Sequence, residues 1–359
     1  MWSTMRTLTL VLLMGGLFAC APSGTPGRST APAPAPEGSA AAPAAAQAPT
    51  EPPPLETVQM SFAADSAVYA PFFIAMDKGY FQEEGLQIEM LKAGGGAATP
   101  ALISGDIQYS TSAASSVSAI LKGAPLKVIY TNSDHPGYEL WSSSPDVKTL
   151  ADLAGKTIAV QSRGDTMEIA ARLALEQHGV DPDSVSYIAV GYGSAQRLAA
   201  LQTGSTAAAI LGIADVVQLK NAGPTGHLLA NIRDDVEMLY TGLATSDQEL
   251  QQHRDRVKRL LQATLKGREY YKAFKDETLA ILGKYNDRPR DANEADYEDV
   301  MAAMTPDGAM PVEVQQRDTA MRAAVNGVDQ VPPVDQIYDY SVVKEVAQAL
   351  TASGWKPTR

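Results

Sequence analysis

From residue 57 onward the chain alternates short apolar runs with amphipathic stretches of helical period, the pattern of a mainly parallel sheet covered by helices. Strands are expected at 57–62, 86–91, 107–111 and 126–130, and again at 157–160, 186–190, 207–211 and 227–231. Between them, 71–78 opens with Pro71 in its first turn and stops at Gly79, as a helix should. The stretch 166–178 stops at Gly179 in the same way. Beyond residue 245 the period is helical throughout, over 248–275, 291–304, 312–326 and 342–352, with Asp291 and Ser341 placed as N-caps.

A faint internal echo accompanies the alternation. Gly94, Ala101-Leu102 and Ser104-Gly105 return 99 positions later as Gly193, Ala200-Leu201 and Thr203-Gly204. Each copy reads as a glycine turn, a helix, a glycine cap and a buried strand. A folded body of roughly 300 residues also exceeds what a single core usually supports. Two similarly built lobes are therefore expected, one from 56–139 and 243–359, the other from 140–242. Stretches 138–143 and 239–245 read as the crossings between them.

Ahead of this body, Arg6 and the apolar run 8–17 lead to Leu17-Phe18-Ala19-Cys20. The run is too short to span a bilayer, which takes about 20 apolar residues. It reads as a signal peptide over 1–19 that ends at a lipidation site, Cys20. Residues 20–55 are then a disordered Ala/Pro-rich spacer that tethers an exported protein to a membrane. Cys20 is the only cysteine in the chain, so no internal disulfide or cysteine zinc site forms. The formal net charge is −12 with no basic cluster, which argues against nucleic acid as a partner.

Catalytic motifs are near-misses. Gly155-Lys156-Thr157 ends like a phosphate-binding loop, but Leu150 stands where its first glycine must be. Gly191-Tyr192-Gly193 resembles a dinucleotide fingerprint, but Gln196 replaces the third glycine. The four histidines have no metal-binding spacing, and no Gly-x-Ser-x-Gly elbow occurs. No cofactor, metal or reaction is expected.

Several motifs together carry a family resemblance: 66–71 (Ser-Ala-Val-Tyr-Ala-Pro), 75–81, 84–88, 101–106, 150–160 and 338–343. In order and spacing they resemble the NMT1/THI5-like substrate-binding proteins, which serve ABC importers of nitrate, sulfonates, taurine and thiamine precursors. The resemblance implies a type II periplasmic-binding-protein fold, with two Rossmann-like α/β lobes joined by two hinge strands. It also implies a monomer that hands a small-molecule ligand to permease and ATPase subunits. The enzyme branch of the family carries a cysteine-rich motif that this chain lacks. A tethered receptor that signals to a kinase uses the same module and stays open as an alternative.

In such sheets ligands sit beyond the carboxyl ends of the strands, where helix N-termini present free N–H groups. The candidate contacts are Asp65, Ser66, Val68 and Tyr69 after the first strand, Gly95 and Gly96 after the second, and Ser112 and Ala113 after the third. The other lobe offers Ser162, Arg163, Gly164, Thr166, Tyr192 and Gly193, and the first crossing adds Tyr138 and Trp141. Ser112 and Thr166 also read as plain helix caps, and Arg163 as a surface charge or a partner of Asp165. Aromatic residues make up only 6% of the chain, so four at these turns favour a partly apolar ligand, and the helix N-termini favour a small organic anion.

Overall fold

The computed structural model describes residues 54–63, 66–191, 193–221, 223 and 226–359. The expected signal peptide, Cys20, nearly all of the spacer, Asp65 and Tyr192 lie outside the described residues.

Among the described residues, ten strands form two five-stranded sheets. In chain order they are β1 (Glu56–Phe62), β2 (Leu86–Lys92), β3 (Tyr109–Ser110), β4 (Leu126–Ser133) and β5 (Tyr138–Ser142). β6 (Thr157–Val160), β7 (Ser186–Ala189), β8 (Ala208–Gly212), β9 (His227–Asn231) and β10 (Thr241–Ser246) follow. The first sheet runs β2-β1-β3-β10-β4 and the second β7-β6-β8-β5-β9. The inner strands are buried, as a covered sheet demands: Val58, Met60 and Phe62 make one apolar face of β1, with Ser61 buried on the other, and Ile158, Ala159 and Val160 make both faces of β6 apolar.

The two sheets repeat one plan. β1 pairs in parallel with β2 and β3, while β10 runs antiparallel between β3 and β4. β6 pairs in parallel with β7 and β8, while β5 runs antiparallel between β8 and β9. The sequence echo falls on matching units. Gly94 and Gly193 are the N-caps of helices Gly95–Ser104 and Ser194–Gln202, which feed the third strand of each sheet.

All eight expected strands form. The two remaining strands, β5 and β10, come from the stretches that read as crossings: each sheet takes its antiparallel member from the chain just after it arrives from the other sheet. The passages themselves come earlier, at 134–137 and 232–240. They lie side by side, with Met238 N–H donating to Asp134 O at 2.7 Å and Tyr240 N–H to Ser133 O at 3.2 Å.

Helices after β10 return to the first sheet. The expected helix over 248–275 is broken at His253 into Asp247–Gln252 and Arg254–Ala273, and a further helix, Lys275–Tyr285, continues from it. Gly267 lies against helix Ala70–Asp77, so close that a Cβ there would meet Pro71 O at 2.1 Å. Helix Arg290–Ala303 starts one residue before the expected cap Asp291, and helix Ser341–Ser353 starts at Ser341 itself. Helix Val312–Asn326 serves both halves. Its Val314 and Ala323 lie in the core of the first sheet, whereas Met321 and Val325 pack against the core of the second. Among the described residues no helix is long and apolar enough to cross a membrane.

Candidate functional site

The carboxyl ends of the parallel strands in both sheets open onto one cavity of about 180 Å³. An apolar cavity of about 150 Å³ accepts a benzene ring, so the space suits a molecule of roughly one-ring size. The first sheet contributes Ser66, Val68 and Tyr69 beyond β1, Gly95 beyond β2, and Thr111, Ser112, Ala114 and Ser115 beyond β3. The second contributes Gln161, Asp165, Thr166 and Met167 beyond β6, Arg197 beyond β7, and Gly212, Ile213 and Asp215 beyond β8. Gly137 and Tyr240 end the two passages, Tyr138 and Thr241 begin β5 and β10, and Arg288, Asp296 and Asp299 come from helix Arg290–Ala303 and the turn before it.

Of the residues expected from sequence, Ser66, Val68, Tyr69, Gly95, Ser112, Tyr138 and Thr166 line this cavity together. Gly96, Ala113, Trp141, Ser162, Arg163, Gly164 and Gly193 are not among its lining residues. Arg163 lies beside the site and points elsewhere. Its Nε donates to the buried Glu168 at 2.8 Å and its Nη1 to Tyr187 O at 3.1 Å. Asp165 is no partner for it, because that carboxylate caps helix Thr166–Gln177 by accepting the N–H groups of Ser162 and Glu168 at 2.9 and 3.0 Å. Trp141 alternates to the opposite face of β5 from Tyr138. There it joins Leu201, Leu211 and Val216 in a core cluster, and its indole N–H donates to Glu139 at 2.6 Å.

The charged lining is what the sequence did not single out. Arg197 Nη2 meets Asp215 Oδ2 at 2.9 Å, and both residues are buried. Arg288 Nη1 donates to Asp296 Oδ2 at 3.1 Å, and Arg233 Nη1 to Asp299 Oδ1 at 3.0 Å. Asp296 also receives the Ala214 N–H at 3.1 Å, which ties the late helix Arg290–Ala303 to the start of helix Ile213–Asn221 on the second sheet. Five buried lining residues keep a side-chain atom without a hydrogen-bond partner: Thr111 Oγ1, Ser112 Oγ, Arg197 Nε, Asp215 Oδ1 and Thr241 Oγ1. Buried polar groups are ordinarily paired, so each of these side-chain atoms lacks its usual partner here.

Burial also governs the acids and phenols here. It raises the phenols of Tyr138 and Tyr240, whose rings meet edge to face at 5.1 Å, so both stay neutral hydrogen-bonding groups. It raises Asp165 and Asp299, and it pushes Asp296 up to about 7, with Asp215 and Asp299 adding to the shift and Arg288 opposing it. A carboxyl raised in the folded state keeps its proton after the unfolded chain has released it. Stability from Asp296 is therefore fully present at acid pH and falls as pH rises from the ordinary carboxyl range to about 7. Thermal melts from pH 4 to 8 check this: the melting temperature of the wild type relative to Asp296→Asn should fall toward neutrality and level off above it, and a flat difference contradicts the assignment.

A sequence profile for the family described as NMT1/THI5 like matches residues 66–278. The putative binding protein YtlA of Bacillus subtilis is 24% identical over 254 residues, 68% of this chain and 75% of that protein. The alkanesulfonate-binding protein SsuA of Xanthomonas axonopodis, solved with bound MOPS, superposes with a TM-score of 0.65 at 16% identity, covering 79% of this chain and 98% of its own. The ligand-binding component of an ABC-type import system from Staphylococcus aureus gives 0.65 at 16% identity over 81% and 99% of the two chains. With two mixed sheets of matching plan, the fold is that of the periplasmic binding proteins, and the chain belongs to the NMT1/THI5-like family.

Proposed function

We propose that this chain is the extracytoplasmic solute-binding component of an ABC importer. In this reading it captures a small organic molecule between its two sheets, delivers it to permease and ATPase subunits, and performs no reaction itself. One observation carries the reading: a one-ring-sized cavity, built from the strand ends of both sheets, around which five buried polar atoms wait for partners. Each sheet supplies part of that set, Thr111, Ser112 and Thr241 from one and Arg197 and Asp215 from the other. A solute that touches both therefore favours the closed arrangement by the contacts it makes only there.

The ligand in this proposal is partly apolar, facing Val68, Tyr69 and Tyr138, and carries an acidic oxygen group. That group faces the amino ends of helices Gly95–Ser104 and Ala113–Ile120, whose N-caps Gly94 and Ser112 make no side-chain capping bond. Lipid attachment at Cys20, export, a tether over 20–55, a body divided at about 139 and 243, and a monomeric state belong to the same proposal. The names of the sulfonate-binding and import-system relatives support it. A thermal-shift panel of small carboxylates, sulfonates, amides, amines and sugars tests it. At least one small organic compound should raise the melting temperature in a saturable way, and a panel without any stabilising member defeats the reading.

A further inference from the structure

Resting on the solute-binding reading, we propose that Arg197 and Asp215 act together as a recognition pair for an amide-type edge on the ligand, an N–H beside a carbonyl oxygen. The argument starts from how these two side chains meet. An arginine and a carboxylate that fit each other well join as a fork, through two parallel hydrogen bonds. This pair is joined through one, from Arg197 Nη2 to Asp215 Oδ2 at 2.9 Å, and Oδ2 also takes the Gly212 N–H at 3.3 Å. Arg197 Nε and Asp215 Oδ1 are left, one a donor and the other an acceptor, both buried and neither with a partner. Both residues are at least nine-tenths buried, at 4% and 3% exposure, and both line the cavity.

The other charged lining groups are occupied. Asp296 holds Arg288 and the Ala214 N–H, Asp299 holds Arg233, and Asp165 holds two backbone amides. Among the described residues, Arg197–Asp215 is the cavity-lining ion pair with an unpartnered buried atom on each side.

Ligand chemistry then divides sharply. A carboxylate or sulfonate has only acceptors: it satisfies Nε and sets a negative charge against Oδ1. An ammonium has only donors: it satisfies Oδ1 and sets a positive charge against Nε. An amide-type edge presents its carbonyl to Nε and its N–H to Oδ1, and brings no charge that repels either partner. The hydroxyls of Thr111, Ser112 and Thr241 act as donor or acceptor and accept whatever the rest of the molecule carries. The pair thus sets the character of one end of the ligand, while the helix amino ends beyond β2 and β3 set the other.

Three one-ring probes that share a carboxylate for the helix amino ends and differ only in the group para to it supply the test: 4-carbamoylbenzoate, terephthalate and 4-(aminomethyl)benzoate, titrated by calorimetry into the purified protein. 4-Carbamoylbenzoate should bind at least about tenfold tighter than either analogue charged at that position, since a site built around a hydrogen-bonding group rejects analogues that lack it. Arg197→Lys removes Nε, and Asp215→Asn replaces the acceptor; in whichever variant folds, the preference should shrink to less than about threefold. A probe charged at the para position that equals or outbinds 4-carbamoylbenzoate overturns the proposal, as does a preference left intact in a folded variant. So does a failure of all three probes to bind. If other members of the thermal-shift panel bind in that last case, the recognition pair falls and the solute-binding reading stands; if none does, both fall. Should neither variant fold, the ranking of the probes on the wild type decides alone.

Discussion

Replacing Arg322 with Met should lower the unfolding free energy by about 3–5 kcal/mol, the usual cost of leaving one member of a buried ion pair without its partner. Arg322 and Asp318 are both inaccessible to solvent, and Arg322 Nε lies 3.0 and 2.9 Å from the two carboxylate oxygens. Burial works against the charge on Arg322, yet Asp318 holds its pKa above the ordinary value. The remaining guanidinium nitrogens leave the helix. Nη1 donates to Ala114 O at 3.4 Å and Nη2 to Leu239 O at 3.2 Å. Ala114 lines the cavity, Leu239 lies in the second passage between the sheets, and the parent helix packs on both cores. After substitution Asp318 keeps the Tyr338 hydroxyl at 3.0 Å as its neutral donor and has lost its counter-charge. Urea denaturation followed by circular dichroism reads the change as a lower midpoint at unchanged slope. A shift below 1 kcal/mol would mean that this buried pair does not hold the two halves together.

Gly95→Val is expected to abolish solute binding while costing about 1–3 kcal/mol of stability through overpacking. Gly95 opens the helix beyond β2 and lines the cavity. Its requirement is space: a Cβ there would lie 2.0 Å from Ser115 Oγ and 2.4 Å from Ser115 Cβ. A valine must therefore displace Ser115, another residue lining a cavity of only about 180 Å³. Affinity for any compound that stabilises the wild type should drop by at least about a hundredfold, or roughly 2.7 kcal/mol. The neighbouring Gly96 supplies the control, since a Cβ at that position meets nothing within 4 Å. Gly96→Ala should bind as the wild type does. Unchanged binding by Gly95→Val would move the solute away from this cavity.

The fold was legible because each sheet announces itself locally. Val58–Phe62 alternates apolar and polar residues at the strand period, and Gly79, Gly105, Gly179 and Gly204 stop helices where a left-handed residue is needed. β5 and β10 were harder to classify, because antiparallel pairing with strands from distant chain segments leaves no mark on their own sequence. The site divides along the same line. Ser66, Val68, Tyr69, Gly95, Ser112 and Thr166 follow strands directly, and chain order alone brings them to the rim. Arg197 sits inside a helix that also shows Leu198 and Leu201, and it reads as an ordinary amphipathic position until Asp215 is seen opposite. Arg288, Asp296 and Asp299 come from the helical tail, whose return to the cavity depends on tertiary packing. Arg163 was conspicuous as the one cation in a glycine-flanked turn, but the nearest buried carboxylate, Glu168, captures it.

The central claim is that this cavity holds a solute and leaves it unchanged. Calorimetric titration of the strongest thermal-shift compound, followed by mass spectrometry of what the protein releases, measures this directly. The account predicts one solute per chain, recovered chemically unaltered. Recovery of a transformed compound, or saturable stabilisation with no stoichiometric binding, would contradict it.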